Sequence, residues 1–208
     1  MLEHHDIAVC FGRRGWGKTT ISKQLQADQK RVVVLDRLRE YTHDPRASHV
    51  VTNFEDFARA CLECEKRDSF KIIYQFEIEN DETEFNEAMR VVYYMGDTCL
   101  VIEEIHHFAS VHQMPSMLRE CILTGRHQRI LLILTTQRPG ELHKTILSQA
   151  SHIFAGSVHE SNDTLYLSKI MGDVAFELKA LKKTATYSEF IHYRPGEEPE
   201  KIQVQLKY

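Results

Sequence analysis

Excess basic charge, paired cysteines, proline and long apolar runs are all scarce in this sequence. Lys and Arg number 26 against 30 Asp and Glu, for a formal net charge of -4. A uniformly basic surface of the kind that coats nucleic acid is therefore excluded, although a local basic ring is not. The five cysteines (Cys10, Cys61, Cys64, Cys99 and Cys121) are scattered and odd in number, which argues against a disulfide framework and for free thiols in a reducing compartment. Cys61 and Cys64 have C-x-x-C spacing but no second pair downstream, so two half-buried helical thiols are a better reading than zinc or redox chemistry. Five prolines build no linker, and neither a repeat nor a low-complexity tract is present. No apolar run approaches the ~20 residues of a membrane-spanning helix, and no signal-peptide pattern precedes the first strand. We expect a cytoplasmic protein without a transmembrane segment.

What is present starts near the N-terminus. The apolar run Ile7–Phe11 leads into Gly12-Arg13-Arg14-Gly15-Trp16-Gly17-Lys18-Thr19-Thr20, which fits the phosphate loop G-x-x-x-x-G-K-[ST] between a strand and a helix. Glycines let successive amides turn inward as anion donors, and the helix N-terminus adds its positive end. Lys18 is expected against the β- and γ-phosphates of ATP, and the Thr19 hydroxyl on Mg²⁺.

The rest of the chain alternates strand and helix over 208 residues, enough for one domain. Apolar runs predict strands at Val32–Leu35, Val50–Val51, Lys71–Phe76, Thr98–Ile102, Arg129–Thr135 and His152–Ala155. Helices are expected over Lys18–Gln29, Phe54–Glu65 (capped by Asn53 or Thr52), Glu84–Met95, Pro115–His127 and Leu142–Gln149. An acidic stretch, Glu77, Glu79, Asp81, Glu82 and Glu84, leads into the third helix. Beyond Gly156 two short helices, Thr164–Ile170 and Val174–Leu181, precede strands at Thr186–His192 and Lys201–Leu206, read as an antiparallel edge hairpin. The expected fold is α/β: a single domain with its core over about 6–156, a three-layer P-loop architecture with a mostly parallel sheet, and sites at the carboxyl ends of the strands.

Hydrolysis needs more than a phosphate loop. The strand ending at Ile102 delivers Glu103 and Glu104, and we place it beside the phosphate-loop strand. Glu103 is assigned to the Mg²⁺ side and Glu104 to the base that readies water. Gln137, at the end of the next apolar strand, is expected to hold that water or report the state of the γ-phosphate. A neighbouring subunit's arginine would complete the charge; Arg126 and then Arg119, seven apart and so on one helix face, are the candidates. The loop 106–112 and Lys169, Lys179, Lys182 and Lys183 are candidates for a nucleic-acid track.

Together these residues resemble the HerA/FtsK superfamily of ring-forming ATPases, the additional-strand, RecA-like P-loop motors. The resemblance rests on GRRGWGKT at 12–19, VLDRLREY at 34–41, the Glu103-Glu104 pair and GRHQRILLILTTQRPGELHKTILSQASHIFAG at 125–156. It covers most of residues 6–171 and is most similar to the small genome-packaging ATPases of membrane-containing icosahedral viruses. What it implies is ATP hydrolysis that moves double-stranded DNA, a homo-oligomeric ring (hexamer or pentamer), a capsid vertex or portal protein as partner, and a place in the host cytoplasm or at the virion. It also matches Gln137 to the sensor and Asp36 to the aspartate after the second strand. Two positions depart: Glu103 replaces the commoner Asp, and Trp16 stands where a small residue is usual. The bulky indole is expected to pack on neighbouring structure or to occlude part of the loop. Rival readings are an assembly, secretion or conjugation ATPase of the same superfamily, and a small-molecule P-loop kinase.

Overall fold

The computed structural model describes residues 2–75, 82–158 and 160–206. Phe76, Glu77, Glu79 and Asp81 lie outside them. β1 (Ile7–Phe11), β2 (Arg31–Leu35), β3 (His49–Val51), β4 (Phe70–Tyr74), β5 (Thr98–Ile102), β6 (Ile130–Thr136) and β7 (His152–Ala155) run parallel, and β8 (Tyr187–Tyr193) and β9 (Glu200–Gln205) are antiparallel. They form one sheet in the order β3-β4-β2-β5-β6-β1-β7-β8-β9. β1, β4, β5 and β6 are buried along their whole length, which is why they read as unbroken apolar runs rather than alternating ones.

Helices cover both sides of the sheet. α2 (Phe54–Cys64), α3 (Glu82–Met95) and α4 (Ser116–Thr124) pack in a row, while α1 (Lys18–Leu25) lies against β1, β6 and β9. Asn53 caps α2 by accepting from the Asp56 amide at 2.9 Å. The short helix α5 (Lys144–Ser148) precedes β7, and α6 (Ser161–Met171) precedes the hairpin. No helix among the described residues is long and apolar enough to cross a membrane.

Several boundaries differ from expectation, and two change the site. The strand carrying Glu103 and Glu104 does not border the phosphate-loop strand; β6 runs between them, with Leu132 paired to Leu100 on one side and Ile7 on the other. Order along the chain says nothing about which parallel neighbour a strand takes. The helix after Pro115 stops at Thr124, and Gly125–Gln128 continues as a 3₁₀ turn closed by Arg129 in the left-handed conformation (φ 55°). Arg126 therefore does not share an α-helical face with Arg119. α1 ends four residues early because the Gln26 side chain turns inward, bonding the Ser22 carbonyl and accepting from buried Lys71. In place of a helix over 174–181, a 3₁₀ run covers Gly172–Ala180.

Candidate nucleotide-binding and hydrolysis site

At the carboxyl ends of the strands lies a cleft of about 700 Å³ lined by Arg14, Gly15, Gly17, Lys18, Thr19, Thr20, Leu38, Glu40, Glu104, Gln137 and Leu206. One wall is the phosphate loop. Gly17 sits at the start of α1 with φ 99°, a left-handed conformation costly for any other residue, and a Cβ there would meet the Leu206 side chain at 2.8 Å. The Arg13 amide bonds the Ser157 carbonyl at 2.9 Å, and the Trp16 amide closes back on the Arg13 carbonyl at 3.1 Å.

Trp16 does not block the cleft. Its side chain is 1% exposed, driven beneath the loop against Gly156, where an added Cβ would meet the indole at 2.4 Å. The indole N–H donates to the Glu189 carbonyl of β8 at 2.9 Å, and Arg13 stacks over its outer side at 4.5 Å. The loop is thus tied to the C-terminal hairpin, and Lys183 adds a contact to the Gly15 carbonyl. Lys183, a candidate for the nucleic-acid track, is engaged at the phosphate loop.

The opposite wall consists of side chains. Glu104 has φ 51°, left-handed for a residue with a Cβ, a conformation that costs on the order of 1–3 kcal/mol and persists only where the surroundings enforce it. Its amide donates to Thr135 Oγ1 at 3.0 Å, which fixes the turn. Oε1 accepts from the Gln137 amide at 2.7 Å and lies 3.4 Å from Lys18 Nζ. Oε2 faces His106 Nδ1 at 3.3 Å, and that nitrogen also stands 3.1 Å from Thr136 Oγ1. Burial opposes the Glu104 charge, but His106, Lys18 and Gln137 outweigh it and hold the carboxyl down to about 2. Three residues expected to work together, Lys18, Glu104 and Gln137, are thus in contact.

Glu103 faces away from them. It is 2% exposed, accepts from Tyr41 Oη at 2.9 Å and from Thr135 Oγ1 at 2.6 Å, and burial pushes its carboxyl up to about 7. The Thr19 hydroxyl donates instead to Glu40. Asp36 organises this side by accepting from the amides of Glu40 at 3.0 Å and Tyr41 at 2.9 Å.

The AAA domain family profile matches residues 2–146. The chain belongs to the AAA domain family. No curated protein sequence matches it significantly. Among solved structures, the genome packaging NTPase B204 of Sulfolobus turreted icosahedral virus 2, in complex with ATP-gammaS, is similar at 24% identity and TM-score 0.73, over 96% of this chain and 98% of that one. B204 of Sulfolobus turreted icosahedral virus, the DNA-packaging ATPase, is similar at 22% identity and TM-score 0.73, over 95% and 96%. VirB4 of Thermoanaerobacter pseudethanolicus is similar at 11% identity and TM-score 0.66, over 97% and 89%. These likenesses establish that this AAA domain has the P-loop α/β fold.

In this AAA domain Arg119 and Arg126 are exposed and neither lines the cleft. His106 and Glu40 were not singled out in the sequence as members of the site. Glu40 entered the sequence reading only as part of VLDRLREY at 34–41, with no role of its own. Sequence reasoning gave no place at the phosphate loop to Leu206, Lys183 or Glu189, which reach it from the C-terminal region. The oxygens of Thr19, Glu40 and Glu104, all of which line the cleft, are hard donors that suit Mg²⁺. The site therefore fits a divalent cation next to bound phosphates.

Proposed function

We propose that this chain is an ATP-hydrolysing motor that moves double-stranded DNA, of the kind that packages a viral genome, working with Mg²⁺ as a homo-oligomeric ring. The observation that carries the reading is the contact of Glu104 with Lys18 of the phosphate loop on one side and with Gln137 on the other. A small-molecule kinase would need an acceptor pocket on the far side of the γ-phosphate, whereas a carboxylate in contact with an amide favours water as the acceptor. A water oxygen attacks the γ-phosphorus, the bond to the ADP oxygen breaks, and Glu104 takes the water proton. A carboxylate held near 2 is a weak base. When Lys18 turns to the phosphates, one of the influences that lower Glu104 is lost and its basicity rises. Mg²⁺ would neutralise charge on the β- and γ-phosphates.

The extra positive charge is assigned to an arginine of the adjoining subunit, with exposed Arg126 ahead of Arg119, and the capsid vertex is the proposed docking partner. The packaging structures are similar at 22–24% identity against 11% for VirB4, which supports the packaging reading over secretion or conjugation. The test is ATP hydrolysis with and without long double-stranded DNA, read beside particle size. Several-fold stimulation in a ring-sized particle is expected; an unstimulated rate would remove DNA translocation.

A further inference from the structure

The notable feature of the cleft is a carboxylate that lies next to the phosphate loop but comes from another strand. Glu40 is exposed, lines the cleft and receives the hydroxyl of Thr19. Its backbone is held at both ends: the amide donates to buried Asp36, and the carbonyl accepts from Lys23 Nζ of α1 at 2.8 Å. Lys23 also stands over the Tyr41 ring at 4.4 Å. A loop fixed in this way presents its carboxylate to α1 without further ordering. Glu103, by contrast, has both oxygens engaged, by Tyr41 and Thr135, and does not line the cleft. Releasing it would break both of these buried hydrogen bonds.

We propose that Glu40, rather than Glu103, is the carboxylate that holds the divalent cation beside Thr19, and that Glu103 is a positioning residue joining the Asp36–Tyr41 loop to the end of β6. Mg²⁺ is usually bound by one or two carboxylates together with substrate phosphates and waters. Thr19 and Glu40 supply two oxygens already in contact, and Glu104 lines the same cleft. Glu103 then acts at one remove. Its bond to Tyr41 fixes the residue next to Glu40, and its bond to Thr135 fixes the hydroxyl on which the Glu104 amide rests. One buried carboxylate thus sets the spacing between the metal side and the water side of the cleft.

This inference rests on the nucleotide reading above, and the experiment separates the two. Binding of ATPγS to the full chain is measured with Mg²⁺ and with EDTA for the wild type, Glu40→Gln and Glu103→Gln. Bound Mn²⁺ is counted by electron paramagnetic resonance in the presence of ATPγS. The wild type is expected to bind more tightly with metal. Glu40→Gln should lose about 10–100-fold of that gain, as for loss of a metal-orienting group, and lose bound Mn²⁺, while EDTA affinity is kept. Glu103→Gln should keep the gain. Thermal melting without nucleotide shows that the exposed Glu40 variant is folded, so that variant alone decides the metal assignment. A Glu40→Gln protein with the full metal-dependent gain overturns the inference while leaving nucleotide binding intact. A wild type that binds no ATPγS under either condition overturns the nucleotide reading itself.

Discussion

The phosphate-loop wall of the cleft is made of backbone and is supported from outside, by Trp16 under Gly156 and by contacts from Glu189, Lys183 and Leu206 of the C-terminal region. The wall opposite is made of side chains standing on β5 and β6, and its support comes from within the sheet, from Thr135 and Tyr41. Amides at a helix N-terminus recognise phosphate whatever is attached to it, so the first wall can grip without choosing chemistry. A carboxylate and an amide in contact, with the Lys18 ammonium reaching over from the loop, set a protonation state, so the second wall determines what happens to the anion.

The largest effect that would sharpen this contrast is on turnover. Glu104→Gln keeps an acceptor for Gln137 and should leave ATPγS affinity close to wild type while the rate falls about 10²–10⁴-fold, the usual contribution of a general base; single-turnover hydrolysis with a binding titration checks it. A variant that hydrolyses normally would merge the two walls into one binding surface.

Trp16→Ala attacks the other wall. Removing a fully buried indole should cost about 3–5 kcal/mol of stability, read by denaturant unfolding, with loss of phosphate grip but no change in the protonation of Glu104. If the variant instead lost turnover at unchanged affinity, the hairpin would be acting on the chemistry rather than on the loop.

The smallest effect lies between the two adjacent carboxylates. Glu103 is raised from 4.5 to about 7, so the folded protein keeps a proton that the unfolded chain releases. Its contribution is fully present below pH 4.5 and is lost as pH rises to about 7. Glu104, lowered to about 2, behaves oppositely: its contribution is present above pH 4.5 and is lost as pH falls towards 2. Between pH 5 and 8 the wild type should therefore lose stability relative to Glu103→Gln, by on the order of 3 kcal/mol at most. Parallel melts across that range measure it, and matching slopes would place Glu103 in a far wetter setting.

Much of this was legible because burial on both faces writes itself as an apolar run. Thr98–Ile102 and His152–Ala155 are strands over the residues their composition predicts, and the glycine spacing located the phosphate loop. What was not legible depends on partners distant in sequence. Trp16 and Glu189 are separated by 173 positions, and no local pattern connects an indole in one turn to a carbonyl in the last hairpin. The placement of β6 between β5 and β1 is likewise a choice among parallel neighbours that no residue records. Glu103 and Glu104 look alike in sequence, and only the turn at Glu104, with φ 51°, sends one inward and the other into the cleft.

The indole beneath the loop has a practical consequence. It is the sole tryptophan in 208 residues, so emission from the unlabelled protein reports a single place. That place joins the two ends of the chain, and its colour and intensity follow how firmly they remain clasped.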